Sequence, residues 1–278
     1  MPDENNSNPN MYKSWLAWRI FFAANPGANL LTLTGTEHPL KALFIKKFRE
    51  KLELPAGDIC PRCDGWEVTT LNEDKVRCIC SILAWQTKIR MSWEDVFPLP
   101  ERCDLRDLKI WGDPAMKLKL NMFMKEINDF VSMPTHWLTI TGPVGTGKTH
   151  ALKALAHIFF PVAVYVSATD FESRIYTWLN EQSLEGNIEI LTRAPILLFD
   201  DLGADYGSKF STAKLREVID WRYSHSKDHV TVVTTNMPLK MLISNAAAQD
   251  RIASRIQDKQ IARIVDLSMV YDYRLAQR

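Results

Sequence analysis

A glycine-rich loop constrains this chain more than any other feature of its sequence. The loop fits the pattern G-x-x-x-x-G-K-T, and its residues are Gly142, Pro143, Val144, Gly145, Thr146, Gly147, Lys148 and Thr149. The glycines let the backbone turn tightly and aim several N–H groups at one point, which makes a phosphate cradle at the start of a helix. The pattern predicts a bound ATP, with Lys148 on the β- and γ-phosphates and the Thr149 hydroxyl on Mg²⁺. A glycine-rich turn that matches by chance is the alternative.

The sequence around this loop alternates between strand and helix patterns, which predicts an α/β fold with a mainly parallel sheet and crossover helices. The first strand of this region, Trp137–Thr141, leads directly into the loop. Further strands are expected at residues 162–166, 196–199, 230–234 and 262–267. Residues 196–199 are all apolar, so we expect that strand to be buried on both faces.

Three helices are predicted from capping residues and apolar spacing. Asp113-Pro114 reads as an N-cap followed by proline at the first helical position. Residues 169–172 have the form of a capping box. The residues expected on the buried faces of the three helices are Met116, Leu120, Phe123, Ile127 and Phe130, then Ala151, Leu152, Leu155 and Ile158 after the loop, then Phe171, Ile175 and Leu179.

Two aspartates follow the buried strand at 196–199. A carboxylate at the carboxyl end of a strand beside the loop can hold Mg²⁺ through water, and Asp200 suits that role. Asp201 points differently and could orient or deprotonate the attacking water. Alternatively, one of the two only caps the turn before Leu202-Gly203.

Asn236 follows the next strand, in Thr234-Thr235-Asn236. An amide at this place could hydrogen-bond both the γ-phosphate and the lytic water. The alternative is a turn residue before Pro238, since Asn-x-Pro is good turn chemistry.

Together these motifs resemble those of an AAA+ ATPase, and the resemblance covers about residues 104–278. Within that superfamily the chain looks like the bacterial replicative helicase loaders DnaC and DnaI and the related transposition ATPase IstB. The resemblance implies a P-loop domain with a five-stranded parallel sheet and a reduced C-terminal lid.

The end of the chain carries the more specific part of this resemblance. Asp250-Arg251-Ile252-Ala253-Ser254-Arg255-Ile256 resembles the loader segment with the arginine finger. This implies that Arg255 inserts into a neighbouring subunit's ATP site, with Arg251 assisting; a solvated helix face is the alternative. Asp272-Tyr273-Arg274 resembles the loaders' Tyr-Arg pair, which implies that Arg274 touches the γ-phosphate of its own subunit.

Four of the five cysteines fall within residues 60–80, as Cys60-x-x-Cys63 and Cys78-x-Cys80. A hairpin of residues 67–70 and 75–77 would bring both pairs together into a tetrahedral site for a structural Zn²⁺. Reduced thiols or disulfides are the alternative. A cysteine-bound zinc module also resembles what the helicase loaders carry at their N-terminus.

Two amphipathic segments precede the cysteines. Trp15, Trp18, Arg19 and Phe22 fall within one helical stretch, which is either core or a contact for a partner. A second stretch at residues 40–52 carries lysines that are either a solvated face or phosphate contacts.

The expected organisation is an N-terminal partner-binding module at 1–96, a linker at 97–112 and the AAA+ domain at 113–278. A formal net charge of +1 demands no nucleic acid as partner and excludes none. No apolar run is long enough to cross a bilayer and no secretory signal is visible, so a cytoplasmic protein is expected.

Three functions fit these observations. A helicase loader would bind single-stranded DNA and a hexameric replicative helicase, and would form a homo-oligomer through the arginine finger. A transposition ATPase would assemble on duplex DNA. A nucleotide-dependent protein adaptor would contact no DNA.

Overall fold

The computed structural model describes residues 11–24, 68–71, 74–78, 81–82, 85–86, 88–89, 93–203, 208–242 and 247–276. The chain divides into two compact units, Met1–Ile89 and Arg90–Arg278. The boundaries 1–96, 97–112 and 113–278 stay predictions. In the described parts of the chain, no helix has both the length and the apolar character needed to cross a membrane.

The first unit contains helix α1 (Met11–Ala24) and an antiparallel hairpin of β1 (Val68–Leu71) and β2 (Asp74–Arg77). The predicted hairpin is therefore confirmed. The Arg77 N–H donates to the Ser14 hydroxyl at 2.8 Å, and the Trp18 indole donates to the Arg77 carbonyl at 2.9 Å. Trp15 and Trp18 are both buried. These two aromatic side chains therefore belong to the core of this unit.

Most of the predicted zinc ligands lie outside the described residues. This holds for Cys60, Cys63 and Cys80, whereas Cys78 is described and buried. Among the described residues, no cluster of three or more histidine, cysteine or acidic side chains could hold a metal ion. The Zn²⁺ site stays a prediction.

The second unit is built on a five-stranded parallel sheet, as predicted. Its strands are β3 (Trp137–Thr141), β4 (Ala163–Ser167), β5 (Ile196–Asp200), β6 (Val230–Thr235) and β7 (Ala262–Asp266). Their order across the sheet is β4-β5-β6-β3-β7, and all paired strands are parallel. The three inner strands are buried along their whole length, whereas the edge strands β4 and β7 are only partly covered.

Eight helices accompany this sheet in the described part of the second unit. They are α2 (Pro114–Ser132), α3 (Lys148–Ile158), α4 (Ala168–Asn180), α5 (Leu184–Arg193), α6 (Lys209–Ser224), α7 (Leu239–Leu242), α8 (Ala247–Ile256) and α9 (Tyr273–Ala276). Helix α3 packs against β4, β5 and β6, and α6 packs between α5 and α8. A short 3-10 turn, Leu105–Asp107, precedes α2.

The predicted start of α2 is confirmed. The Asp113 carboxylate accepts a hydrogen bond from the Met116 N–H at 2.9 Å, and Pro114 occupies the first helical position. Satisfying a free N–H in the first turn stabilises the helix end. The five apolar side chains expected on its inner face are all buried.

Other local predictions were wrong in detail. Helix α4 is capped by Ser167 and not by the predicted capping box at 169–172. The Ser167 hydroxyl accepts a hydrogen bond from the Asp170 N–H at 3.0 Å. Since β4 runs directly into the helix, the last residue of the strand serves as the cap. On α4, Phe171 and Ile175 are buried as predicted, but the third buried residue is Trp178, and Leu179 is 49% exposed. On α3, Ile158 is 36% exposed. Helices α5 and α6 had not been predicted.

Candidate active site

The parallel sheet brings the predicted phosphate loop, aspartates and asparagine to one edge. The loop follows β3, Asp200 ends β5, and Asn236 follows β6. Because β6 lies between β5 and β3, the carboxyl ends of these three strands are adjacent. Ligands of open α/β sheets bind at this edge.

The phosphate loop adopts a backbone that requires glycine. Gly147 precedes α3 with a φ of 92°, and Gly145 at the tip of the loop has a φ of 77°. These values lie in the left-handed region, which costs an L-residue with a Cβ about 1–2 kcal/mol. A Cβ on Gly147 would also lie 2.8 Å from the Leu108 side chain. The loop is thus closely packed on the segment before α2.

That segment runs along one face of α3. The side chains of His150 and His157 hydrogen-bond the carbonyl oxygens of Asp104 and Pro100, at 2.7 and 3.0 Å. These contacts fix residues 100–108 against the helix that carries the phosphate loop.

Lys148 lies inside the loop rather than in solvent. Its side chain is 4% exposed, and its Nζ donates to the carbonyls of Gly142 and Pro143, each at 2.7 Å. Burial lowers the pKa of Lys148 to about 8, although the negative charges of Asp201 and Asp200 oppose this shift. A bound phosphate would offer the ammonium group anionic acceptors in place of neutral carbonyls.

Asp200 is held by three hydroxyl groups. Its Oδ1 accepts from the Thr234 hydroxyl at 2.5 Å and from the Thr149 hydroxyl at 3.3 Å, and its Oδ2 accepts from Tyr165 at 2.9 Å. Burial, reinforced by the Asp200 charge, raises the pKa of Tyr165 well above its usual range, so the phenol remains a donor. The carboxylate is 2% exposed and therefore fixed in direction.

Thr149 and Asp200 together make a donor set that suits Mg²⁺. A hydroxyl and a carboxylate are hard oxygen ligands, and Mg²⁺ usually takes one or two protein ligands and completes its shell with phosphate oxygens and water. The contact between the two side chains shows that both groups reach the same point beside the loop.

Asp201 pairs with Asn236 through its side chain. Its φ is 61°, its N–H donates to the Thr234 hydroxyl at 2.9 Å, and its Oδ1 accepts from the Asn236 amide at 2.6 Å. Desolvation, and next the charge of Asp200, raise the pKa of Asp201. Both side chains of this pair are exposed, so a water molecule can reach them. A left-handed non-glycine residue is a strained backbone of the kind found at functional sites.

Arg274 lies on a segment that contacts the phosphate loop. The Tyr273 N–H donates to the Gly145 carbonyl at 3.1 Å. Arg274 forms a two-point ion pair with Asp272, Nε to Oδ1 at 2.9 Å and Nη2 to Oδ2 at 2.7 Å. The Tyr273 ring contacts the Trp111 ring at 5.5 Å between centroids. Arg274 is therefore near the loop, with an aspartate as its partner.

The side chain of Arg255, by contrast, contacts residues of α6. Its Nη1 forms an ion pair with Asp220 Oδ1, and its guanidinium lies over the Tyr223 ring, 5.2 Å from the centroid. The loop, Asp200, Asp201 and Asn236 are thus brought together, whereas Arg255 is held elsewhere on the same chain.

Several contributors to this site escaped prediction. Thr234 was noticed only as part of the motif around Asn236, yet it contacts both aspartates. Tyr165 could have been suspected only from its place on the strand before β5, since nothing local indicates a partner 35 residues away. Asp272 was noticed only as part of the motif with Tyr273 and Arg274, and nothing in the sequence indicated a role for Trp111.

Comparison with known proteins agrees with this geometry. Residues 138–259 match the model of the ATPase family associated with various cellular activities (AAA). This part of the chain is therefore similar to AAA domains, which agrees with the resemblance to AAA+ ATPases.

Two curated relatives are the chromosomal replication initiator proteins DnaA of Crocosphaera subtropica (strain ATCC 51142 / BH68) and Rippkaea orientalis (strain PCC 8801 / RF-1). Each is 30% identical over 132 residues, which is 46% of this chain and 28% of the relative. The chain thus spans little more than a quarter of the length of these relatives. A crystal structure of DnaI superposes with a TM-score of 0.50 at 20% identity, over 61% of this chain and 95% of that chain. At this identity the likeness shows the fold.

Proposed function

From the AAA-like domain and its site, we propose that the chain is an ATP-hydrolysing loader of a replicative DNA helicase. The observation that carries the catalytic part is the contact network joining Thr149, Asp200, Asp201 and Asn236 beside the phosphate loop. The helicase as partner is supported by the motifs around Arg255 and Arg274, which resemble those of the DnaC and DnaI loaders.

The phosphate loop holds ATP through its backbone N–H groups, residues 142–149. Lys148 exchanges its two carbonyl acceptors for β- and γ-phosphate oxygens, and Thr149 and Asp200 hold Mg²⁺. When bound, Mg²⁺ supplies positive charge that offsets the charge developing on the transferred phosphoryl group.

Asp201 orients the attacking water and accepts its proton. Asn236 donates to Oδ1 of Asp201, which leaves Oδ2 for the water. The raised pKa of Asp201 makes the carboxylate a better proton acceptor than an unperturbed aspartate. Thr234 and Tyr165 hold the Asp200 carboxylate beside Thr149, where the two groups would bind Mg²⁺.

Two arginines complete the site when ATP and a second copy are present. Arg274 leaves Asp272 for the γ-phosphate of its own subunit. Arg255 reaches the ATP of a neighbouring subunit and stabilises negative charge in the transition state. Oligomerisation and hydrolysis are thereby coupled, so ATP binding favours assembly and hydrolysis favours release.

In this proposal the assembled copies bind single-stranded DNA, and residues 1–96 bind the helicase. A structural zinc ion in the same N-terminal module is bound by Cys60, Cys63, Cys78 and Cys80. Phosphate contacts would make DNA binding weaken as salt rises. Zinc content measured on the purified full chain, with and without the four cysteines changed to serine, tests the metal.

The partner is tested by capture of the host's purified replicative helicase on the immobilised full-length chain, with ATP, with ADP and without nucleotide. We expect capture with ATP and a loss of capture for Lys148→Ala. Binding of the helicase that is equal in all three nucleotide states contradicts the loader. Stable assembly on duplex DNA without helicase capture supports a transposition ATPase, and nucleotide-dependent binding of neither DNA nor helicase supports an adaptor.

A further inference from the structure

Two side chains of α6 contact the Arg255 guanidinium on its own chain, Asp220 and Tyr223. Asp220 contacts the guanidinium through an ion pair, and Tyr223 lies beneath its plane. The Tyr223 hydroxyl in turn donates to Asp258 Oδ2 at 2.5 Å, and the Asp258 N–H donates to the Arg255 carbonyl at 3.3 Å. The ring is therefore held in place from the loop that follows α8.

The ion pair is closed to solvent at its centre. Both Arg255 Nη1 and Asp220 Oδ1 are buried atoms, although the two side chains keep exposed fractions of 22% and 28%. Each of the two side chains is only partly covered, so the pair can open without unfolding of the helices that carry it. A guanidinium in this position cannot at the same time enter another subunit's ATP site.

A second arginine, on α6, pairs with Asp220. Arg216 Nε lies 3.5 Å from the second oxygen of Asp220, so one carboxylate is shared between two arginines. Without that carboxylate, Arg216 and Arg255 repel each other. An open groove of about 520 Å³ lies along the same face of α6 and includes Arg216 and Asp220 in its lining, which gives an approaching protein access to this region.

We propose that Asp220 is a positioning residue that holds Arg255 in an inactive place until a second copy of the chain binds. The inference rests on the proposed role of Arg255 as a finger acting on a neighbour. Assembly must first break the Asp220–Arg255 pair, which lowers the population of assembly-competent chains. We call the Asp220–Arg255 ion pair the latch. The apparent dissociation constant for assembly is the intrinsic constant divided by the competent fraction of chains, so the latch weakens assembly without changing the catalytic step.

The test mixes two full-length variants. Arg255→Ala keeps an intact ATP site and lacks the finger, whereas Lys148→Ala keeps the finger and is inactive as an ATPase. ATP turnover is measured as the second variant is titrated into the first. The finger donor is then prepared with Asp220→Asn, which keeps the shape of the side chain and removes its charge.

We expect the half-stimulating concentration of the donor to fall roughly fivefold with Asp220→Asn, equivalent to about 1 kcal/mol, while the maximal rate stays the same. Glu217→Gln is the matched control, since it removes the same charge from α6 and its described ion pair is to Lys214. An unchanged half-stimulating concentration overturns the proposal. A loss of stimulation also overturns it, because Asp220 would then be needed to present the finger.

A second measurement needs no ATP turnover. Arginine modification by phenylglyoxal, followed by peptide mass analysis of dilute protein, should be slow at Arg255 and at least about threefold faster in Asp220→Asn, as expected for an opened ion pair. Arg222, whose side chain is fully buried, reports on folding and should stay unmodified in both proteins. Equal modification rates at Arg255 overturn the latch.

These two measurements separate the latch from the finger. If Lys148→Ala never stimulates Arg255→Ala, and Arg255→Ala is as active alone as the wild type, the finger role fails. The modification rate at Arg255 still decides whether Asp220 holds it.

Discussion

The protonation state of Lys148 gives a quantitative prediction for the pH dependence of ATP binding. With a pKa of about 8 in the free protein, about nine tenths of the chains carry the ammonium form at pH 7 and about one tenth at pH 9. ATP binds the protonated form and restores the pKa of Lys148 to its ordinary range or above. The dissociation constant for ATP should therefore rise about tenfold from pH 7 to pH 9, equivalent to about 1.4 kcal/mol.

Isothermal titration calorimetry across this pH range measures the effect directly. Lys148→Arg is the matched control, because a guanidinium stays protonated throughout and reveals any contribution from other groups. A wild-type dissociation constant that changes less than twofold between pH 7 and pH 9 would refute the argument. So would an equal pH dependence in Lys148→Arg.

Three further changes test the site and the fold. Asn236→Ala removes a hydrogen bond that lowers the pKa of Asp201, so this pKa should rise in the variant. Since Asp201 must be ionised to accept a proton, the acidic limb of the ATPase pH profile should move to higher pH. An acidic limb at the wild-type pH would contradict this role. Arg222→Met should lower the free energy of unfolding by about 3 kcal/mol or more, because the buried guanidinium donates to carbonyls of Ala194 and Val230, among others, which would lose their partner. Arg193→Met, at an exposed arginine, should stay within about 0.5 kcal/mol in the same urea titration. Asp113→Ala removes the cap of α2 and should cost about 1 kcal/mol; an unchanged denaturation midpoint would mean that the cap contributes nothing.

The sequence predicts the centre of this site well, for a physical reason. Buried parallel strands are nearly continuous apolar runs, so each strand end could be located to within a residue or two. Polar residues placed directly after such runs, as Asp200 and Asn236 are, must lie at the carboxyl edge of the sheet. The glycines of the phosphate loop indicate the backbone shape without any knowledge of the rest of the chain.

What the sequence could not predict depends on contacts between distant segments. The partner of Arg255 is 35 residues away on α6, a helix that escaped prediction because its inner face includes polar residues such as Ser211, Thr212 and Arg222. A fully buried arginine cannot be told from a surface one by its neighbours in sequence. The cap of α4 was misplaced because Ser167 and Thr169 are both good caps, and the end of β4 decides between them.

The central claim is that Asp201 accepts the proton of the water that hydrolyses ATP, and one variant tests this role most directly. Asp201→Asn keeps the size of the side chain and removes the proton acceptor, while Lys148, Thr149 and Asp200 remain in place. Single-turnover hydrolysis and ATP affinity should be measured on the same protein. The account predicts an ATP dissociation constant within about threefold of wild type and a hydrolysis rate at least about 100-fold lower. Hydrolysis at the wild-type rate with intact ATP binding would contradict it.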